Sequence, residues 1–170
     1  MTEMAPRSTR IIGQLRAEAG RGIVRMEDVY DTDAADLWSA LTRPERLARW
    51  IAEVDGDLVP GGEFAILFTS GWEGPGRVEV CEEPRRLVVI TGRKPDETTI
   101  EALLTPEGAR TRLVVEERGL PLTELAAHGA GWQAHVEDLT AHLAGQERGD
   151  WHARWKQLDP VYREIDARRG

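Results

Sequence analysis

Cysteine is nearly absent from this sequence. Cys81 stands alone, so no intrachain disulfide can staple the fold, which fits a reducing compartment. Long apolar runs are missing as well. The first twenty residues, MTEMAPRSTRIIGQLRAEAG, hold only short apolar pieces between charges, and nowhere is there a run of the roughly twenty residues that a membrane span needs. The expectation is a cytoplasmic protein with no membrane partner. Positive charge is in deficit: 22 Lys and Arg against 30 Asp and Glu give a net charge of −8. A nucleic-acid partner would need a basic face, and an anionic membrane surface would repel this chain. No G-x-x-x-x-G-K-[ST] or G-x-G-x-x-G occurs, so nucleotide binding lacks its usual phosphate cradle. Ser8, Ser39 and Ser70 lack the G-x-S-x-G setting of a hydrolase nucleophile. Cys81 falls in an expected strand, where a packed thiol is the ordinary outcome. Phenylalanine and tyrosine are scarce, two of each against six tryptophans. Tryptophan suits both cores and the rims of ligand cavities.

What is present reads as one α+β domain over 1–170, since 170 residues suffice for one sizeable core and would crowd two. Ile12–Glu18 and Gly22–Tyr30 are extended stretches around Ala19-Gly20-Arg21-Gly22, which predicts a β-hairpin; a helix over Ile11–Ala19 is the alternative. Asp33 and Asp36 suit a helix N-cap and an acidic first turn. A calcium loop would need a ligand at Ala35 and a glycine that is missing. Leu37, Trp38 and Leu41 form the buried stripe, and Pro44 opens a second short helix ending near Trp50.

From Val54 to Glu117 apolar residues alternate between turn signals. Strands are expected at Glu63–Thr69, Arg77–Cys81, Leu87–Thr91, Thr98–Leu104 and Thr111–Glu117, with Gly71–Gly76 as a connection; this is an antiparallel meander. Helical spacing then returns at Leu125, Trp132, Val136, Leu139 and Leu143, stopping at Gly145. Trp132, Val136, Leu139 and Leu143 are expected to face the sheet, with Glu137 and Ala141 toward solvent. In the tail, Trp151, Trp155, Leu158, Tyr162 and Ile165 share helical spacing, but Pro160 predicts two short helices with Asp159 capping the second. Such an apolar stripe must pack on its own domain or on a second copy in a homodimer.

His128, His135 and His142 recur every seven residues along the long helix. At about 1.5 Å rise per residue neighbouring rings lie roughly 10 Å apart, too far to share a zinc ion with ligands near 2 Å. No metal and no cofactor are expected, and these histidines read as boundary residues of an amphipathic helix. His135, beside the expected cavity, is the candidate ligand contact or acid–base group.

Several stretches together resemble one family. Leu37-Trp38-Ser39-Ala40-Leu41-Thr42-Arg43-Pro44-Glu45-Arg46-Leu47-Ala48-Arg49-Trp50 is similar to the first helical segment of the START-like (SRPBCC) superfamily. Pro60-Gly61-Gly62-Glu63-Phe64 resembles its glycine-led strand. Gly76-Arg77-Val78-Glu79-Val80 followed by Glu83-Pro84-Arg85-Arg86-Leu87 resembles the next strand–turn–strand, and Gly131-Trp132 with Leu139 its C-terminal helix. The pattern is that of the AHSA-type branch, named for homologues of the heat-shock ATPase activator. The resemblance implies a helix-grip (START/birch-allergen-like) fold, a curved antiparallel sheet wrapped around a long C-terminal helix with a cavity between. It sets the core at 22–145, leaving 1–21 as an extra strand or arm and 146–170 as a helical extension.

A fold does not choose a function, and this branch has no shared catalytic signature to carry over. The leading expectation is binding of a small apolar or amphipathic ligand in a cavity bordered by Trp50, Phe64, Phe68, Trp72, His135 and Leu139. A cyclase- or hydrolase-type enzyme using His135 with Glu53, or with Glu101 if it points inward, is the alternative. The branch name adds a co-chaperone-like interaction domain as a third.

Overall fold

A computed structural model describes residues 10–169; the part of the N-terminal arm expected over 1–9 lies outside them. The chain opens with a hairpin, β1 (Gly13–Glu18) and β2 (Arg21–Tyr30), turning at Ala19 and Gly20, both with positive φ. Helix α1 (Ala34–Thr42) starts where the Asp33 carboxylate accepts the amide of Asp36 at 2.8 Å, and α2 (Pro44–Trp50) has Pro44 in its first turn. Six strands follow: β3 (Ala52–Gly56), β4 (Glu63–Phe68), β5 (Glu73–Glu82), β6 (Arg86–Thr91), β7 (Thr98–Glu107) and β8 (Arg110–Leu120). A 3-10 turn over Leu122–Glu124 leads into α3 (Leu125–Leu143), which ends before Gly145 at φ +75°; α4 (Trp151–Ala167) completes the chain.

All eight strands form one antiparallel sheet in the order β1-β2-β8-β7-β6-β5-β4-β3. Its inner face carries in-phase residues such as Ile100, Ala102 and Leu104 on β7 and Thr111, Leu113 and Val115 on β8. The outer face is a lattice of ion pairs, among them Arg25–Glu116, Arg112–Glu27 and Arg118–Glu101. Helix α3 lies against the inner face, so the architecture is the helix-grip α+β arrangement.

Four local expectations need correction. The edge strand β3 went unrecognised. Gly74 and Gly76, expected in a connection, pair with Ile66 and Phe64 inside the sheet. Their missing side chains make room: a Cβ on Gly76 would come within 2.3 Å of the Phe64 ring, which lies over it. Third, Glu137 is not turned to open solvent, because α4 packs along that side of α3. Arg154, buried on α4, grips the Glu137 carboxylate through contacts of 2.7 and 2.9 Å.

Fourth, α4 is one helix, not two. Asp150 caps it by accepting from the amide of Ala153, whereas Asp159 accepts from Arg163 instead of starting a new helix. Pro160 and Lys156 are both exposed, so the carbonyl that loses its partner at Pro160 sits on the watered side. Burial of Leu158 in the core and of Tyr162 against Gly129 of α3 and Gly13 of β1 outweighs the proline penalty. The tail stripe that raised a homodimer is thus covered within its own chain. Among the described residues no helix is long and apolar enough to cross a membrane.

Candidate functional site

A cavity of about 820 Å³ opens between the inner face of β6–β8, the first half of α3 and the first turns of α4. The volume lies within the range of small-molecule sites. Four tryptophans reach it from three places: Trp72 from the β4–β5 turn, Trp132 from α3, and Trp151 and Trp155 from α4. Phe68 and His135 join them into one aromatic wall. His135 lies 5.3 Å from Trp151, 5.7 Å from Trp132 and 5.8 Å from Phe68 between ring centroids, and Trp151 stacks on Trp155 at 6.4 Å.

The indole N–H groups of the three inner tryptophans are all spent on the protein. Trp132 donates to Glu117 at 2.8 Å, Trp151 to the Gly131 carbonyl at 3.2 Å and Trp155 to the Ala127 carbonyl at 3.0 Å. Ala127 and Gly131 are one helical turn apart, as are Trp151 and Trp155, so the α4 indoles hang from successive carbonyls of α3. What these rings offer the cavity is therefore apolar surface. Gly131 permits the approach, since a Cβ there would stand 3.1 Å from the Trp151 ring.

One buried carboxylate interrupts the apolar lining. Glu117 on β8 accepts from Trp132, from the Thr98 hydroxyl at 2.6 Å, and faces His128 Nδ1 at 3.5 Å. Thr91 extends the chain, 3.2 Å from Thr98. Burial works against the Glu117 charge, but hydrogen bonds from His128, Thr98 and Trp132 outweigh it and hold the group below the usual glutamate range. Burial likewise pulls His128 down, yet Glu117, with Glu124 3.7 Å from the other ring nitrogen, overcomes it and raises the imidazole above its ordinary value. The two form an ion pair within the cavity wall.

His135 is the opposite case. Burial among aromatic rings lowers its pKa to about 3, so it stands neutral, with Nδ1 3.5 Å from the Thr69 hydroxyl. His142, on the same helix, accepts from Arg46 Nε at 3.1 Å, and burial and that cation hold it neutral too. Burial also pushes the Cys81 thiol up, away from nucleophilic character. Among the described residues no group of His, Cys, Asp and Glu side chains is placed to hold a metal ion.

Of the residues expected from sequence, Phe68, Trp72 and His135 meet at this cavity. Trp50, Phe64 and Leu139 do not. Trp50 is buried under α1 with its N–H on the Ala40 carbonyl, Phe64 packs over Gly76 at the far end of β4, and Leu139 is fully enclosed two turns beyond Trp132. Neither carboxylate suggested for His135 reaches it. Glu53 is exposed on the edge strand β3, and Glu101 points outward, because in-phase Ile100 and Ala102 take the inner face; it pairs with Arg86 and Arg118. The group that sequence reading missed is Glu117. It stands in phase with Thr111, Leu113 and Val115, and that alternation was the available signal.

Comparison with known proteins agrees with this architecture. A family model described as Activator of Hsp90 ATPase homolog 1-like protein matches residues 31–144. Among solved structures, CalU16 from Micromonospora echinospora is 24% identical; its crystal structure superposes with a TM-score of 0.73 over 91% of this chain and 96% of that one. A conserved protein of unknown function from Enterococcus faecalis, 20% identical, gives a TM-score of 0.74 over 93% and 92% of the two chains. DynU16, a protein of the dynemicin biosynthetic locus, is 27% identical with a TM-score of 0.68; 75% of this chain is covered, against 50% of DynU16. Among curated proteins nothing matches.

Proposed function

The chain belongs to the family of Activator of Hsp90 ATPase homolog 1-like proteins, the AHSA-type branch of the START-like superfamily, and on that premise we propose that it binds a small apolar or amphipathic molecule in the cavity between sheet and helices. One observation carries the reading: the cavity wall is built from Trp72, Trp132, Trp151, Trp155, Phe68 and His135, with the inner indole donors turned into the protein. A surface of that kind gains by excluding water from an apolar guest, and a few convergent polar groups orient it. The origin of the DynU16 relative in a biosynthetic locus is in keeping with a small biosynthetic molecule as guest. The direct test is native mass spectrometry of protein purified gently from its host. A co-purifying small molecule that is released on unfolding is the expected result; a bare polypeptide mass, together with no binding of any apolar probe, would refute it.

A second reading draws on the His128–Glu117 pair, which gives the cavity an acid and a base within reach of one ligand. A cyclase- or hydrolase-type enzyme would use this pair rather than His135, which is neutral and whose ring nitrogen faces the Thr69 hydroxyl instead of a carboxylate. Turnover of a released ligand, lost in Glu117→Gln while binding persists, would distinguish catalysis from carriage. The co-chaperone reading rests on the family's description alone.

A further inference from the structure

The charged groups that line the cavity lean negative, and an aromatic wall stands beside them. Asp96, Glu117 and Glu124 stand against Arg21 and His128, with His135 neutral and His152 at the mouth. Glu117 is the telling one, for it is nearly inaccessible yet borders the cavity. A carboxylate offers about four acceptor positions. Trp132, Thr98 and His128 occupy three of those on Glu117, leaving Oε2 able to take one more donor.

We propose that the cavity selects amphipathic molecules that carry a protonated amine, with the Glu117 carboxylate accepting the N–H and the aromatic wall of Trp132, Trp151 and Trp155 beside the cation. The proposal rests on the ligand-binding reading above and names its ligand class. Aromatic faces carry negative charge density that attracts a desolvated cation, and the neighbouring carboxylates reinforce the attraction. An anionic guest would meet the same carboxylates as repulsion. A neutral guest would leave the last acceptor position of Glu117 without a donor. The indole N–H groups of Trp132, Trp151 and Trp155 and the Thr98 hydroxyl are already engaged, which leaves the exposed Arg21 as the main donor an anion could find.

Three naphthalenes of matched shape test this, carrying a dimethylammoniomethyl, an isobutyl or a carboxymethyl group, each titrated into the full chain by calorimetry at pH 7. The ammonium compound should bind about tenfold tighter than the isobutyl compound, and the carboxylate weakest. In Glu117→Gln the ammonium advantage should shrink to about threefold or less, with isobutyl binding unchanged within about twofold. Glu124→Gln, at an exposed position, should give a smaller loss in the same direction, and it decides the matter if circular dichroism shows that Glu117→Gln does not fold. Isobutyl binding equal to or tighter than ammonium binding would overturn the cation preference and leave the ligand-binding reading standing. Failure of all three compounds to bind would overturn both.

Discussion

Tyr162, on the fourth turn of α4, donates its phenol to Gln133 Oε1 of α3 at 2.5 Å, with both residues buried. Gln133 in turn donates to the Arg10 carbonyl at 2.7 Å and to Glu137 at 3.2 Å, and Glu137 is held by Arg154. One side chain therefore ties the N-terminal segment, α3 and α4 together. Tyr162→Phe keeps the ring and removes the hydroxyl, leaving the buried Gln133 Oε1 with only the longer bond from the Ile12 amide at 3.4 Å. A loss of about 1–3 kcal/mol is expected. Urea unfolding should show a lower midpoint with an unchanged slope. A loss below about 0.5 kcal/mol would mean that the network is replaceable by water.

Gly129 sets two effects against each other. Alanine in a helix interior is ordinarily better than glycine by about 0.5–1 kcal/mol. Here an added Cβ would stand 2.6 Å from the Tyr162 ring and 2.9 Å from Leu15 Cδ2, and neither is free to retreat from a packed junction. Steric cost should win, so Gly129→Ala is expected to lower the melting temperature. A rise would show that α4 can shift away from α3 without penalty.

Most of the architecture was legible because its signals are local. Asp33 and Pro44 mark helix starts, Gly145 marks a stop, and turn residues separate β6, β7 and β8. The misses are places where tertiary contact overrides a local signal. Gly74 and Gly76 read as a loop until the Phe64 ring is there to lie on them. Pro160 reads as a break until the buried stripe of α4 holds the helix through it. Trp50 and Trp132 are alike in sequence, and only the topology puts one under α1 and the other in the cavity wall. Glu117 was legible in principle from strand phase, while its partner His128 could be found only once α3 was laid across β8.

Stability should fall on the acid side through His135. Folded, its pKa is about 3, whereas an unfolded chain protonates histidine near 6.5. Between these values the unfolded state binds more protons, so stability rises with pH across that window, by an amount on the order of 3–5 kcal/mol. Glu117 adds to the acid limb: its pKa is lowered, so its contribution is present above about 4.5 and lost as pH falls through the folded value. His128 has the opposite sign. Its pKa is raised, so its contribution is full below about 6.5 and fades as pH climbs through the folded value. Stability should therefore peak near pH 6.5 to 7. In His135→Leu the loss between pH 7 and pH 4 should be markedly smaller than in the parent protein. Equal losses in the two proteins would remove His135 from the account.

Removing the tail tests whether the cavity depends on it. Truncation after Gly145 strips α4, which supplies Trp151 and Trp155 to the wall and buries Leu158 in the core and Tyr162 against α3 and β1. The side of α3 on which α4 packs, with Ala126, Gly129, Ala130 and Gln133, would then lose much of its cover. Because the stripe packs within the chain, the truncated protein should melt several degrees lower and bind a surface-hydrophobicity dye. It should also hold an apolar cavity probe at least about tenfold more weakly, having lost two of four tryptophans. The double variant Trp151→Leu/Trp155→Leu separates these effects, since it keeps the helix and its buried stripe. It should weaken the probe while sparing most of the melting temperature. If the truncated chain instead halves in mass and otherwise keeps its stability and probe affinity, α4 is a dimer contact in solution and the intramolecular packing assigned to it is wrong.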